Sequence, residues 1–351
     1  MTSGEKAEPI KYKQVVVTRH GSPEVLQVVE EPLPEPGAGE VRVKVLAAGV
    51  SAFDLIYRRW GRLPGSPPLP FALGEDVVGT VDKLGEGVSD LELGQMVAGG
   101  TWSLGVGGGY TEFICLPSTE LVPVPMGADP VEVICLVANY LTAHLHMHRI
   151  AKVRSGERVL IHGAAGGVGT ALLELGKIAE LEMYGTASKH NHELVSALGA
   201  TPIDYRSEDF VESIQNLTVD GVDIVIDTVG GASLLWRSYQ VLRKGGRLVW
   251  LGSAATRDKG IMVGPLSLLM VFVLKLIPDS KHVPMCPDLG KFAETHSDWY
   301  HETLTELFDL LTEGKIKPVV AERIPLVEAT RAHKLLEKGG YAGKVVLVTS
   351  P

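Results

Sequence analysis

Residues Val159 to Gly169 read Val-Leu-Ile-His-Gly-Ala-Ala-Gly-Gly-Val-Gly, a short apolar strand running straight into a glycine cluster. A helical pattern follows over Thr170 to Glu180, with Ala171, Leu172, Leu175, Ile178 and Ala179 on one face. Strand, glycine turn and helix in that order are the dinucleotide-binding geometry. Glycines let the backbone approach a pyrophosphate, and a helix N-terminus offers it unpaired N–H groups and the positive end of a dipole. Gly166, Gly167, Val168 and Gly169 are therefore the expected pyrophosphate contacts. A glycine cluster alone is nonspecific; here the flanking strand and helix carry the reading.

The glycine turn opens a run of alternating strands and helices. Strands are expected at Arg158 to His162, Glu182 to Thr186, Pro202 to Asp204, Val222 to Asp227 and Arg247 to Leu251. Helical patterns lie between them at Asn191 to Gly199, Ser207 to Asn216 and Ser233 to Leu242. Such repetition gives a parallel sheet covered on both faces. The first third has a different rhythm. Val41 to Val45 alternates apolar and polar, and Val77 to Leu84, Tyr110 to Leu116 and Leu121 to Val124 are further strand candidates, punctuated by Gly and Pro. This predicts a compact, partly open β-barrel. A helix or helix pair is expected over Pro130 to Ala151. The final strand, Lys344 to Val348, is expected to rejoin the first domain. The α/β chain thus divides into a barrel domain over 1–128, a dinucleotide-binding domain over 129–318 and a returning tail over 319–351.

Composition narrows the function. The chain has 351 residues, 45% of them hydrophobic, and a formal net charge of −9. No basic run interleaves with aromatics, so nucleic acid is not an expected partner. Cys115, Cys135 and Cys286 are too few and too scattered for a disulfide framework. The segment Met1 to Lys13 is polar and lacks a signal-peptide core. A cytoplasmic protein is expected. Ile261 to Ile277 is strongly apolar but short for a membrane span, with Pro265 near its start and Lys275 near its end. A buried or pocket-lining helix, a lid over an apolar substrate and a subunit interface all remain open for it.

The end of the second strand bears on the cofactor. NAD sites usually place an acid there for the ribose 2′-OH. Here the sequence is Gly185-Thr186-Ala187-Ser188-Lys189-His190, with no acid. A hydroxyl at Ser188 and a cation at Lys189 suit a 2′-phosphate, which predicts NADPH. The competing reading of Lys189 is a solvated residue at a helix start.

With these motifs in place, the chain resembles the medium-chain dehydrogenase/reductase superfamily, and within it the zinc-free quinone oxidoreductases that include the zeta-crystallins. The resemblance rests on Gly156-Glu157-x-x-Leu160-x-x-x-Ala164-Ala165-Gly166-Gly167-x-Gly169 and Lys177. Glu174 stands where that group usually has glutamine. Gly49-Val50-Ser51 with Asp54, Pro70-Phe71, Gly74-Glu75-Asp76 with Gly79, and Gly109-Tyr110-Thr111-Glu112 extend it through the first domain. The resemblance implies a GroES-like catalytic domain, a Rossmann domain, an active site in the cleft between them, and homodimers that pair sheet edges. By position it places Thr142 beside the nicotinamide, makes Asn139 a further cofactor-binding residue, and puts Tyr205 beside the 2′-phosphate. It lines the cofactor with Thr228, Val229, Gly252 and Ser253, and puts Lys344 where the tail meets the cleft.

Zinc members of the superfamily carry a cysteine at the position of Ser51, a histidine at that of Glu75, and a four-cysteine lobe near residues 95 to 115. This chain has only Cys115 near that lobe, so no metal is expected. His144, His146 and His148 are read as helix residues, since their spacing alone is nonspecific. Without a Lewis acid the substrate must already be electrophilic: a quinone or an α,β-unsaturated carbonyl. Ser51 and Tyr57 are the candidate hydrogen-bond donors to the oxygen on which charge develops. Related enoyl reductases carry a tyrosine near Leu63 that this chain lacks. Trp60, Trp102 and Leu268 to Leu274 are expected to make one apolar pocket. The expected function is NADPH-dependent reduction of a bulky hydrophobic quinone or enone. The alternatives are an enoyl-thioester reductase of polyketide or fatty-acid type and a non-catalytic, crystallin-like NADPH-binding protein.

Overall fold

The computed structural model describes residues 10–61, 68–105, 107–252 and 254–349. Its centre is a five-stranded parallel sheet. The strands Ala200–Asp204, Glu182–Ala187, Arg158–His162, Val222–Asp227 and Leu242–Trp250 lie side by side in that order. The sheet reverses direction of build at Arg158–His162, and a crevice opens where the connections leave to opposite sides. Val159, Leu160, Ile161, Ile224, Val225 and Ile226 are all buried, as continuous apolar runs covered on two faces must be. One residue beyond the fifth strand, His282, bridges Arg247 in parallel and extends that edge by a single pair.

The second body is built on a seven-stranded sheet. Its path runs Val320–Pro325, Lys344–Val348, Glu40–Val50, Asp76–Leu84, Met96–Gly100 and Leu121–Pro123, with Phe113–Pro117 paired to the first half of Glu40–Val50. A smaller antiparallel sheet joins Leu26–Pro32, Lys11–Val17 and Phe71–Ala72. Val345 to Val348 face Ala47 to Val50 in antiparallel register, so the tail is woven into the body formed by the first third of the chain. The tail also touches the other body. The Gly343 amide donates to Ala165 O at 2.9 Å, inside the glycine turn.

Several elements differ from the sequence expectation. Pro130 to Ala151 is one continuous helical run in which two α segments alternate with π turns at Leu136–Tyr140 and Leu145–Ala151. Asp129 caps it by accepting from Val131 N at 3.0 Å, and Pro130 sits where a missing N–H costs nothing. The strand expected at Tyr110 begins only at Phe113, because Tyr110 and Thr111 are fully buried in a loop bonded to Val15 and Gln14. The fifth parallel strand starts at Leu242 rather than Arg247. Ile261 to Ile277 contains the helix Val263–Lys275, which packs on the helix Ala232–Gln240 through Val271 and Leu274. Among the described residues, no helix is long and apolar enough to cross a membrane.

Candidate active site

The glycine turn sits at the C-terminal end of the central strand. Gly163 adopts φ +74°, a conformation that favours glycine, and a side chain there would strike the Thr228 hydroxyl. Gly169 presses on the backbone of Gly163 and Ala164, so a methyl at Gly169 would land on the Gly163 carbonyl oxygen. Gly167 leaves room for Asn139, whose side-chain amide fills the place a Cβ would take. The helix Gly167–Ile178 starts at Gly166 with no side-chain cap, so its first-turn amides are not claimed by a capping side chain. Glycine-only backbone at this end and an uncapped helix start fit the pyrophosphate of a dinucleotide.

Side chains expected to line the cofactor converge on this turn from both sides. Asn139 comes from the helical run before it. Thr142 is one turn further along, half-buried, with its carbonyl oxygen accepting from His146 Nδ1 at 2.7 Å. Thr228 Oγ1 donates to His162 O at 2.8 Å. Val229 and Gly230 donate their amides to Asp227 Oδ1 at 2.8 and 3.0 Å, which fixes the end of the fourth strand. Gly252 lies on the Thr228 backbone with no space for a side chain. Ser253 lies outside the described residues.

At the ribose end, Ala187 and Asp204 are register partners on adjacent strands. Ser188 and Tyr205 therefore leave the sheet side by side. Ser188 is buried, while Lys189 and Tyr205 are exposed. Arg206 stacks over the Tyr205 ring with its guanidinium carbon 5.6 Å from the centroid. Arg257 approaches the same tyrosine closely enough to be felt by its charge. The cations at this end are thus Lys189, Arg206 and Arg257, and the latter two were not picked out from sequence. Arg206 follows Tyr205 directly, so a basic residue beside an exposed tyrosine was the available signal. Arg257 comes from the short helix Thr256–Lys259, far along the chain, and no local pattern signals it.

The cleft beside the glycine turn holds a buried network of charges. Lys344 follows Gly343 and donates to Asp76 Oδ2 at 2.6 Å, with both side chains 2% exposed. Asp76 Oδ1 accepts from Gly49 N at 3.1 Å. Burial opposes the Lys344 charge, but the Asp76 carboxylate outweighs it and raises the lysine above its usual range. Asp54 accepts three hydrogen bonds, from Ser51 N at 2.7 Å, Gly74 N at 3.0 Å and Tyr110 Oη at 3.1 Å. Behind it runs a chain that reaches the surface. Glu337 pairs with Arg58, whose Nε donates to His333 Nδ1 at 3.0 Å, and His333 Nε2 contacts Tyr110 Oη at 3.1 Å. An arginine only donates, so Nδ1 is the acceptor, Nε2 carries the hydrogen, and the tyrosine proton goes to Asp54. Burial and the neighbouring Arg58 charge push His333 down to about 3, which keeps it neutral.

The two catalytic candidates take different places. Ser51 is the N-cap of the helix Ala52–Trp60. Its hydroxyl accepts from Asp54 N at 3.2 Å while the Asp54 carboxylate returns a bond to Ser51 N, a capping box. The same hydroxyl donates to Glu75 Oε2 at 3.3 Å. Tyr57 is half-buried one turn on, and burial, then the Glu75, Asp288 and Asp54 charges, raises its phenol. The expected aromatic pocket does not form. Trp60 lines a cavity of about 70 Å³ with Ile56, Arg257 and Tyr341. Trp102 packs edge-on against Tyr300 and fills the space left by Gly100 and Gly290. Leu268 to Leu274 lies on another helix face altogether. The indoles were grouped by type; distant contacts placed them apart.

No group of three or more His, Cys, Asp or Glu among the described residues could hold a metal ion. His144 and His148 do share a face, with ring centroids 4.5 Å apart. Burial, then the His148 and Arg149 charges, pushes His144 down to about 4. Glu174, the departure from the family pattern, accepts from Tyr140 Oη and from Lys317 N at 3.0 Å. It ties the glycine-turn helix to its neighbours and lies away from the cofactor crevice.

A parallel dinucleotide-type sheet joined to an antiparallel barrel, with a glycine turn and a polar cleft where they meet, is the architecture of a dehydrogenase/reductase. Residues 37–126 match the alcohol dehydrogenase GroES-like domain and residues 198–347 the zinc-binding dehydrogenase family. Quinone oxidoreductase of Pseudomonas aeruginosa is 32% identical over 96% of this chain and 99% of its own. Synaptic vesicle membrane protein VAT-1 homolog of Rattus norvegicus is also 32% identical, over 96% of this chain and 84% of its own. The crystal structure of Escherichia coli quinone oxidoreductase complexed with NADPH superposes with a TM-score of 0.84 at 28% identity, covering 96% of this chain and 99% of that one. The chain belongs to the medium-chain dehydrogenase/reductase superfamily, in its zeta-crystallin-like quinone oxidoreductase group.

Proposed function

We propose that the protein is an NADPH-dependent reductase that delivers hydride, without zinc, to a hydrophobic quinone or α,β-unsaturated carbonyl. The observation that carries this reading is the pairing of a glycine turn with a second strand that ends without an acid, where Ser188, Lys189 and Tyr205 stand together. The quinone oxidoreductases among its relatives, one of them seen with NADPH, support it.

When bound, the cofactor supplies hydride from its nicotinamide. The chain does the rest. The amides of Gly167, Val168 and Gly169 would hold the pyrophosphate, the Gly166 amide being bonded to Gly163 O within the turn, and Ser188, Lys189, Tyr205 and Arg206 would hold the 2′-phosphate. Asn139, Thr142, Thr228, Val229 and Gly252 would line the body of the cofactor. Ser51 and Glu75 occupy the positions at which zinc relatives place ligands, so a hydroxyl and a carboxyl face the reacting carbonyl there. Lys344 holds Asp76 and so the wall of the cleft. The domain limits near 129 and 319, a cytoplasmic setting and a homodimer belong to the same reading. The outermost strand Leu242–Trp250 and the apolar helix beside it support the dimer.

The charge logic is tested by kcat/KM with NADPH and with NADH, for wild type and Lys189→Ala. Wild type is expected to prefer NADPH, and the variant to lose roughly tenfold on NADPH alone, the value of about 1.4 kcal/mol from one charge-assisted contact. Equal use of the two cofactors by wild type would remove the NADPH assignment.

A further inference from the structure

Three carboxyl groups crowd the cleft wall, and one cation answers them. The Asp54 and Asp76 charges both raise Glu75, the Asp76 charge also raises Asp54, and the Lys344 ammonium is bonded to Asp76. With all three ionised, the cluster would hold two uncompensated negative charges in a largely desolvated place, which is costly. One group must carry a proton, and the hydrogen bonds say which. Asp54 accepts from two amides and a phenol, and Asp76 accepts from an ammonium and an amide. Both sets favour the ionised form. Glu75 accepts one long bond, from the Ser51 hydroxyl at 3.3 Å. The proton therefore resides on Glu75.

A neutral carboxylic acid is a donor as well as an acceptor. Ser51 already has its proton on Glu75 Oε2, and its oxygen already accepts from Asp54 N. Among the described residues, nothing else bonds to the Glu75 carboxyl, and its side chain is only half-buried. Its position relative to the cofactor turn is short and continuous. Glu75 precedes Asp76, Asp76 binds Lys344, and Gly343 bonds Ala165 in the glycine turn. A protonated Glu75 thus has, beside the oxygen bonded to Ser51, a second carboxyl oxygen with no hydrogen-bond partner among the described residues, on a side chain that is partly exposed.

We propose that Glu75 is the general acid of the reduction, donating its proton to the carbonyl oxygen of the bound enone or quinone. The assignment rests on the reductase reading above. In an enone, hydride adds to the β carbon and forms the new C–H bond. The carbon–carbon π pair moves to the bond beside the carbonyl, and the carbonyl π pair moves to oxygen. Glu75 gives up its O–H proton to that oxygen, yielding the enol and a Glu75 carboxylate. Water reprotonates the carboxylate, and the enol becomes the ketone in solvent. Ser51 acts by orienting the carboxyl through Oε2.

The groups facing Glu75 set its working range. Asp54 and Tyr57 face it from the helix Ala52–Trp60, Asp76 from the strand that starts one residue on, Tyr110 from its buried loop and Lys344 from the tail strand. Burial first, then the Asp54 and Asp76 charges, raises Glu75 to about 8 against a smaller opposing effect from Lys344. A raised acid is protonated below its folded pKa, so donation persists at neutral pH and fades as pH rises through about 8.

The test combines Glu75→Gln kinetics with a titration of the wild-type protein that needs no turnover. Gln fills the same volume and keeps a hydrogen-bond donor without a transferable proton. The expected result is a kcat about 10²-fold lower at pH 7 with NADPH affinity unchanged, and loss of the fall in rate above pH 8. In wild type without cofactor, the assigned Glu75 carboxyl carbon is expected to titrate by NMR well above the ordinary carboxylate range. Should the variant fail to fold, that titration still decides: a midpoint near 4.5 overturns the assignment. An active wild type matched within twofold by Glu75→Gln, with the same pH profile, overturns it and leaves the reductase reading standing. A wild type that turns over no quinone or enone removes the reductase reading, and the Glu75 role falls with it.

Discussion

At the scale of single residues, what matters most is how little room some of them leave. Gly169 packs its Cα against the Gly163 carbonyl and the Ala164 backbone. Backbone cannot swing aside as a flexible side chain can, so Gly169→Ala must displace the turn that defines the site. Overpacking of this kind costs about 1–3 kcal/mol. The variant is expected to unfold at lower temperature and to bind NADPH at least tenfold more weakly by calorimetric titration. Unchanged affinity would show that the turn is not the cofactor seat. This residue was readable from sequence because its partners are five or six positions away. The charge network was not. Arg58 meets His333 across 275 residues of chain and Lys344 meets Asp76 across 268, and no local pattern announces such pairs. Ser51 was picked as a donor from its position; its part in a capping box follows from Asp54 three residues on, a signal that was present and unread.

At the scale of elements, the parallel strands were legible because burial on both faces leaves unbroken apolar runs between turn residues. Arg158–His162, Val222–Asp227 and Lys344–Val348 coincide with the expected limits. Met96–Gly100 was missed: Met-Val-Ala-Gly-Gly has no alternation and ends in two glycines packed against Glu120 O and Trp102. The helix Ala52–Trp60 was missed because its apolar face, Leu55 and Ile56, is short and its other buried residues are Asp54 and Arg58. Helix Val263–Lys275 poses the opposite problem, being apolar nearly all round. Val271 and Leu274 are buried, yet Leu266, Leu269, Phe272 and Val273 are exposed, as is Trp236 on the helix it packs against. A contiguous apolar face of this kind marks an interaction surface. It adjoins the outermost strand of the parallel sheet, which supports the homodimer in the proposed reading. Sedimentation is expected to show a dimer for wild type and a monomer for Phe272→Glu, an exposed position where charge leaves the core intact. A monomeric wild type, or a dimer that survives the substitution, would remove that interface.

At the scale of the whole molecule, two sheets of different construction meet at one cleft, and the tail strand fastens them. Lys344–Val348 completes the barrel-side sheet, while the residue before it bonds to the glycine turn of the other body. The tail thus joins the two bodies beside an apolar core that Ala47, Val78 and Ala98 share with Ile134, Ile161 and Leu172. In the proposed function, Glu75 and Ser51 stand where zinc relatives carry their ligands, and hydride transfer proceeds without a metal. The most direct measurement is NADPH oxidation with phenanthrenequinone by protein dialysed against a strong chelator, with its metal content determined in the same sample. The account predicts full turnover at a metal content far below one ion per chain. Stoichiometric bound zinc, with activity that vanishes on chelation and returns on its readdition, would contradict it.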